Sequence, residues 1–318
     1  MKQDGGDSGV ALTGPVAVCI CTFRRPKQLA RLLSALLSIT RPPCVCFVIV
    51  DNDGDDPAVE VLVAKFRAEA DAPVEFLVER CPGISAARNA AVAAARRMGA
   101  RAIAMLDDDE WPSRDWLQNL VAAREASGAA IVGGPVEPVF QSVGGVPKEF
   151  RKLWSVRAGR LNGKTYVYCT CNCLIDLHAI VFLGDRPFPE DFGASGGEDT
   201  VFFRQLFFGG LGMAWAEEAV VFEEIPTERA SLTWMRRRWF RHGNVGVRCE
   251  QAVPGPGDLS PLLKTILLCL RFPLYPLLSR SSIRSPFLWV LEAERIRGRI
   301  AAHLGVMHEE YGRLPPAS

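Results

Sequence analysis

Four acidic residues in a row, Asp107-Asp108-Asp109-Glu110, follow the apolar run Ile103-Ala104-Met105-Leu106 with no base between them. Like charges packed this closely repel each other. A solvated turn is one answer to that repulsion. A divalent cation is another, because it converts repulsion into coordination. Oxygen-only ligands suit Mg2+ or Mn2+, which keep some waters and take phosphates as further ligands. The acids end an apparent parallel strand, and open α/β sheets bind ligands at that edge. The run therefore predicts a metal–phosphate site.

Four other segments hold polar residues in the same setting. Cys21-Thr22-Phe23-Arg24-Arg25-Pro26 and Asp51-Asn52-Asp53-Gly54 each follow an apolar run. Pro82-Gly83-Ile84-Ser85-Ala86-Ala87-Arg88-Asn89 opens an Ala-rich helix, with Ser85 as a candidate cap and the free N–H groups suited to an anion. Gly196-Gly197-Glu198-Asp199 stands at a further helix start. Acids there gain about 0.3–1 kcal/mol from the helix dipole, a purely structural use. Asp51-Asn52-Asp53-Gly54 likewise suits an Asx turn.

These segments need a sheet to carry them. Buried strands are expected over residues 16–21, 44–50, 74–78 and 102–106, with a short one over 130–133. Helices are expected over 26–38, 59–70, 85–98, 113–126, 199–208 and 231–242. This alternation with short connections implies an α/β fold, a Rossmann-like, mostly parallel sheet flanked by helices. All the polar loops then share one sheet edge. Residues 134–170, with turn signals at Gly144-Gly145 and Asn162-Gly163, form a loop-rich insert. Residues 260–304 suggest two amphipathic helices broken near Ser281.

Composition narrows the classes. The chain has 318 residues, 48% hydrophobic, enough for one large domain and an appendage. The net charge is +1 and no basic-aromatic groove pattern precedes residue 230, which argues against nucleic acid as a partner. The ten cysteines lack the C-x-x-C spacing of zinc sites, and several lie in strand-like runs, so they are expected to be reduced. Residues 1–14 suggest a disordered lead-in without a secretory signal. The apolar stretch from Leu262 to Leu278 is interrupted by Lys264, Arg271, Pro273 and Pro276, which argues against a transmembrane helix. With arginines such as Arg271, Arg280 and Arg284 nearby, and with Leu267, Leu270, Tyr275, Leu277 and Trp289, it suits a membrane interface.

Taken in order, the five segments resemble the family 2 glycosyltransferases of GT-A fold, over residues 15–245. Residues 246–318 then form a C-terminal amphipathic helical region. The nearest likeness is to bacterial enzymes that build exopolysaccharide or lipopolysaccharide chains. The resemblance implies a nucleotide-sugar donor bound by Thr22, Phe23, Arg24, Asp51, Asn52, Asp53, Gly83, Arg88, Asp107 and Asp108. Asp51 would meet the base, favouring a UDP- or dTDP-type donor, and Arg88 the diphosphate. Asp109 would be the main metal ligand, with Asp107 toward ribose and metal, and Mg2+ or Mn2+ as the ion. Asp199 would be the general base of an inverting transfer to a hydroxyl of a glycan or lipid-linked acceptor, with Glu198 capping the helix or orienting the acceptor.

Processive members carry Q-x-x-R-W near residues 235–239. Here Met235 replaces the glutamine, while Arg238-Trp239 are in place to clamp the diphosphate and stack on a sugar. His242, before Gly243, is either a helix C-terminal residue or, as in some relatives, one that approaches the metal. The implied location is cytoplasmic, peripheral on the inner face of the plasma membrane. Two rivals stand beside this reading. A sugar-phosphate nucleotidyltransferase needs a Gly-rich loop after the first strand, and Thr22–Pro26 has no glycine. A catalytically inactive scaffold of a membrane polysaccharide assembly has no use for unpaired acids at Asp107, Asp109 and Asp199.

Overall fold

The computed structural model describes residues 12–142, 151–274 and 286–307. Most of the lead-in, the Gly144-Gly145 turn signal, Tyr275, Leu277, Arg280, Arg284 and the break near Ser281 lie outside them.

Strand β1 (Val16–Thr22) shows how the two layers form. Side chains alternate across a strand. Val16, Val18 and Ile20 face a cluster with helices α1 (Pro26–Leu36), α2 (Pro57–Glu69) and α4 (Trp116–Ser127). Ala17 and Cys19 face the opposite cluster, with α3 (Ile84–Arg97) and α5 (Glu198–Phe208). In α1 the spacing of Leu29, Leu32, Leu33 and Leu36 places all four on the buried face. Leu32→Ala should cost about 2–5 kcal/mol, because the neighbours cannot close the cavity fully. Helix α3 buries alanines at Ala87, Ala91, Ala94 and Ala95, which lets its backbone lie close to the sheet.

The main sheet runs β11 (Met213–Trp215), β6 (Ile131–Gly133), β10 (Asn172–Asp176), β4 (Ala102–Asp107), β1, β2 (Val45–Asp51), β3 (Val74–Val78). Strand β1 is parallel to β2 and β4, and β2 to β3. Strand β10 is antiparallel to β4 and β6. It pairs Asn172 with Leu106, so the loop before it, with Cys169 and Cys171, arrives beside Asp107. Asn172 is buried with its amide fully used: Trp116 Nε1 donates to Oδ1 at 2.8 Å, and Nδ2 donates to the Pro135 and Ala219 carbonyls at 3.0 and 2.7 Å.

A second sheet of three strands, β5 (Glu110–Pro112), β12 (Val221–Ile225) and β7 (Val136–Phe140), packs against the acid end of β4. It sets Glu223 opposite Glu110. The expected loop-rich insert thus contains β7 and a hairpin of β8 (Gly159–Leu161) and β9 (Lys164–Tyr166).

The helix expected to end at His242 instead runs on. Helix α6 spans Leu232–Ala252, through Gly243 and through the expected boundary at residue 245. The reason is packing: a Cβ on Gly243 would strike the Arg295 carbonyl of α8 (Pro286–His303), and one on Gly298 would strike the Phe240 carbonyl. The two helices cross backbone to backbone. Helix α7 (Pro261–Arg271) buries only Thr265 and leaves Leu262, Leu263, Ile266, Leu267 and Leu270 exposed. Among the described residues, no helix is long and apolar enough to cross a membrane. All ten cysteines are free.

Candidate active site

The ends of β1 and β4 meet first. Thr22 Oγ1 donates to Asp108 Oδ2 at 2.9 Å, with both residues buried. Arg25, where the chain turns into α1, donates through Nη1 to Asp108 Oδ1 and Asp109 Oδ2, each at 3.0 Å. The acidic quartet divides by direction. Glu110 turns inward and accepts the Asp107 N–H at 2.9 Å, and burial pushes its carboxyl well up. Burial likewise pushes Asp108 up to about 6. Asp107 and Asp109 face outward, and each leaves one carboxylate oxygen without a hydrogen bond from a described residue.

The start of α3 is fixed from below. Asn52 accepts the Gly83 N–H at 3.1 Å and donates to the Glu79 and Cys81 carbonyls at 2.8 Å. Gly83 adopts φ 111°, and a Cβ there would press on the Gly193 backbone. A glycine is needed on both counts. Arg88, one turn further, donates through Nη2 to Asp107 Oδ1 at 3.2 Å and through Nη1 to Glu198 Oε1. It is nearly fully buried, and it ties three elements together. Ser85 neither caps the helix nor faces an anion, because its hydroxyl donates to the Pro189 carbonyl at 2.8 Å. Asn89 exchanges two hydrogen bonds with the Phe188 backbone, at 2.8 and 2.9 Å.

At the end of β2, Asp51 accepts the Asp53 and Gly54 N–H groups, each at 3.1 Å, so the Asx turn is formed. Burial raises its carboxyl, and these two bonds oppose the rise. Asp53 forms a two-pronged pair with Arg24 at 3.0 Å. Arg24 takes φ 54°, a left-handed conformation uncommon outside glycine, and lies over the exposed Phe23 ring. The Thr22–Arg24 and Asp51–Asp53 loops are thereby latched to each other.

Glu198 and Asp199 begin α5 and diverge. Glu198 is buried against Arg88, and burial pushes its carboxyl up while the guanidinium pulls it back. Its Oε1 is committed to that pair. Its Oε2 has no partner among the described residues. Asp199 is half-buried, and its Oδ1 accepts the Thr200 N–H at 2.6 Å. Its charge bears on Asp107, Arg88, Cys169 and Tyr166.

Helix α6 contributes less than the resemblance implies. Arg238 stacks over Trp234 and its charge bears on Glu223, near the acids. Trp239 pairs with His242, ring centroids 5.7 Å apart. His242 is exposed, and the charges facing it are Arg238, Arg241 and Arg295, an environment unsuited to a cation.

Three site residues carry no sequence signal of their own. Arg229, in the turn after β12, donates to Asp109 Oδ2 at 3.4 Å and Glu223 Oε1 at 3.3 Å. Arg25 was legible only as part of its segment. Glu223 sits in a strand too polar to stand out.

Among the described residues, no three His, Cys, Asp or Glu side chains gather in ligand geometry. A hard cation that keeps waters and binds phosphate needs fewer protein ligands. Asp107 and Asp109, each with a free carboxylate oxygen, fit that requirement.

Known proteins resemble this chain in sequence and in fold. The profile of glycosyl transferase family 2 matches residues 17–181. The chain is 36% identical over 236 residues to the succinoglycan biosynthesis protein ExoM of Rhizobium meliloti (strain 1021), covering 72% of this chain and 73% of that protein. It is 24% identical over 206 residues to the glycosyltransferase AglE of Haloferax volcanii, covering 64% of this chain and 65% of that protein. Its fold resembles mannosyltransferase PcManGT from Pyrobaculum calidifontis, solved with GDP-Man and Mn2+ (TM-score 0.62, 18% identity, covering 94% of this chain and 90% of that one). It also resembles residues 1–349 of S. aureus TarS (TM-score 0.53, 15% identity, covering 92% of each chain). The profile spans every loop from Thr22 to Asp109, and ExoM matches most of the chain, so the protein is a glycosyltransferase that belongs to glycosyl transferase family 2.

Proposed function

We propose that the protein transfers one sugar, with inversion, from a nucleoside-diphosphate sugar to a hydroxyl of a glycan or lipid-linked acceptor in exopolysaccharide assembly. The observation that carries this reading is the chain Asp107–Arg88–Glu198, which ties the start of α5, where Asp199 follows Glu198, to the acidic end of β4. ExoM's role in succinoglycan biosynthesis supports the exopolysaccharide setting.

Asp107 and Asp109 would hold Mg2+ or Mn2+. When bound, the cation supplies charge stabilisation for the departing diphosphate. Asp199 accepts the acceptor hydroxyl's proton as that oxygen attacks the anomeric carbon and the bond to phosphate breaks. Its oxygen not engaged by Thr200 is available for that proton. Glu198 is committed to Arg88, so it is not a second free carboxylate next to Asp199. Arg88 holds Asp107 in place from the buried side. Asp51 spends two acceptor positions on its own turn, and a carboxylate has about four. A pyrimidine imide N–H can take another, which favours UDP or dTDP donors.

The exposed apolar face of α7 supports contact with a membrane surface, on the cytoplasmic side where nucleotide sugars are made. A helix that buries its threonine and exposes its leucines is inverted for water and suited to a lipid interface.

The experiment is a binding and hydrolysis screen of the purified chain against UDP-, dTDP- and GDP-sugars, with Mn2+ or with EDTA. Metal-dependent binding and slow hydrolysis of one donor are expected. Folded protein that binds no donor in the presence of metal would favour the inactive scaffold.

A further inference from the structure

Asp109 Oδ2 receives two guanidinium groups at once. Arg25 approaches it from the turn before α1 at 3.0 Å, and Arg229 from the turn after β12 at 3.4 Å. Each arginine has a second carboxylate: Asp108 for Arg25, at 3.0 Å, and Glu223 for Arg229, at 3.3 Å. We infer that Arg25 and Arg229 shield Asp109 from a free divalent cation, so that the ion enters as its complex with the nucleoside diphosphate. This rests on the reading that Asp107 and Asp109 hold the ion of a transferase.

The argument is electrostatic and geometric. A free dication approaching Asp109 meets two positive groups already bonded to the same oxygen. Like charges at such range oppose each other strongly where water is scarce, and the Asp109 side chain is only 16% exposed. A metal–diphosphate complex changes the balance. Its anionic oxygens offer both guanidiniums new partners, and the planar fork of arginine matches phosphate as well as carboxylate. Arg25 and Arg229 can make that exchange, because they sit on turns with side chains 40% and 28% exposed. Arg88 cannot follow them easily: its side chain is 7% exposed and is fixed on both sides by Asp107 and Glu198. The site thus holds one fixed arginine and two that can transfer from protein acids to phosphate. The exchange also releases Asp109 for the ion at the moment the nucleotide brings it.

The test is titration of the full chain with Mn2+, following free Mn2+ by electron paramagnetic resonance, first alone and then with UDP or GDP. Wild type should bind Mn2+ alone much more weakly than with a nucleotide. R25Q and R229Q should each bind Mn2+ alone more tightly, by about tenfold, the scale of one charge-assisted hydrogen bond. The same variants should bind UDP or GDP more weakly in the presence of Mn2+. R229K keeps the charge and should resemble wild type toward Mn2+ alone. If wild type, R25Q and R229Q bind free Mn2+ equally while a nucleotide still binds with Mn2+, the shielding is wrong and the transferase site stands. If neither nucleotide binds wild type with Mn2+ present, the site reading falls and this inference with it. R25Q and R229Q are read independently, so either one decides the matter even if the other folds poorly.

Discussion

Arg88 Nη1 and Glu198 Oε1 form an ion pair with both side chains almost wholly buried, 7% and 4% exposed. The pair joins the second turn of α3 to the first turn of α5, helices whose starts lie 114 residues apart in sequence by the bounds Ile84 and Glu198. Removing Glu198 takes one of its two carboxylate partners from the buried Arg88 and leaves Asp107, at 3.2 Å. Glu198→Ala should therefore lower stability by about 3–5 kcal/mol. Urea unfolding of the variant checks this, and a loss below 1 kcal/mol would mean the pair is solvated.

Asp199 stands next to Glu198 but faces the open side. Asp199→Asn keeps the shape and the Thr200 contact while removing the base. Transfer should drop by about 10²–10⁴-fold, the usual weight of a positioned base. Donor affinity, measured by calorimetry, should change little. A loss of affinity that matched the loss of rate would assign Asp199 to binding.

Asp109 is the acid that should couple metal to donor, and its loss should uncouple them. Asp109→Ala should weaken donor binding in Mn2+ by about tenfold or more, within the several kcal/mol a bound cation contributes. Chelation of wild type with EDTA should give the same deficit. Equal donor affinity with and without metal in wild type would remove the cation from the reaction.

Glu223 gives a pH dependence. Burial, with Asp109 adding to it, pushes its carboxyl from the ordinary 4.5 up to about 7. The folded state then binds its proton more tightly than the unfolded chain does. Its contribution is favourable below about pH 4.5 and is lost as pH rises toward 7, by at most about 3 kcal/mol. Glu223→Gln cannot titrate, so its stability should fall less between pH 5 and pH 8 than that of wild type. An equal fall in stability for wild type and variant, by chemical denaturation at the two pH values, would refute the assignment.

The face of α7 makes the last prediction. Placing Asp at Leu263 and Leu267 should leave the unfolding transition unchanged, because both side chains are exposed. Cosedimentation with vesicles of mixed neutral and anionic lipid should fall several-fold. Unchanged cosedimentation would send the search for a partner elsewhere.

The strand-end loops were legible because chemistry and fold coincide there. A buried run followed by Asp51 or Asp107 marks both a strand and an edge, and five such segments in order left little freedom. Residues that act through tertiary pairing were not legible. Nothing in Pro226-Thr227-Glu228-Arg229 announces that β12 will carry Arg229 to Asp109. That strand holds Glu223 and Glu224, whose charges mask its alternation. Ser85 has the composition of a helix cap, yet the Pro189 carbonyl, 104 residues away, claims its hydroxyl. Gly243 signals a helix end by local rules, and α6 continues because another helix needs the space its missing side chain provides.

The crossing at Gly243 and Gly298 works as a dovetail, two notched rods seated in each other. A joint of that kind has no clearance. A chain ending at residue 245 would keep one notch and lose the rod that fills it, leaving the groove around Met235 that Leu291 now occupies open to water. Residues beyond 245 are thus a structural part of the catalytic body, and whatever α7 and α8 rest on is held in fixed register with Arg238 and the acids beyond it.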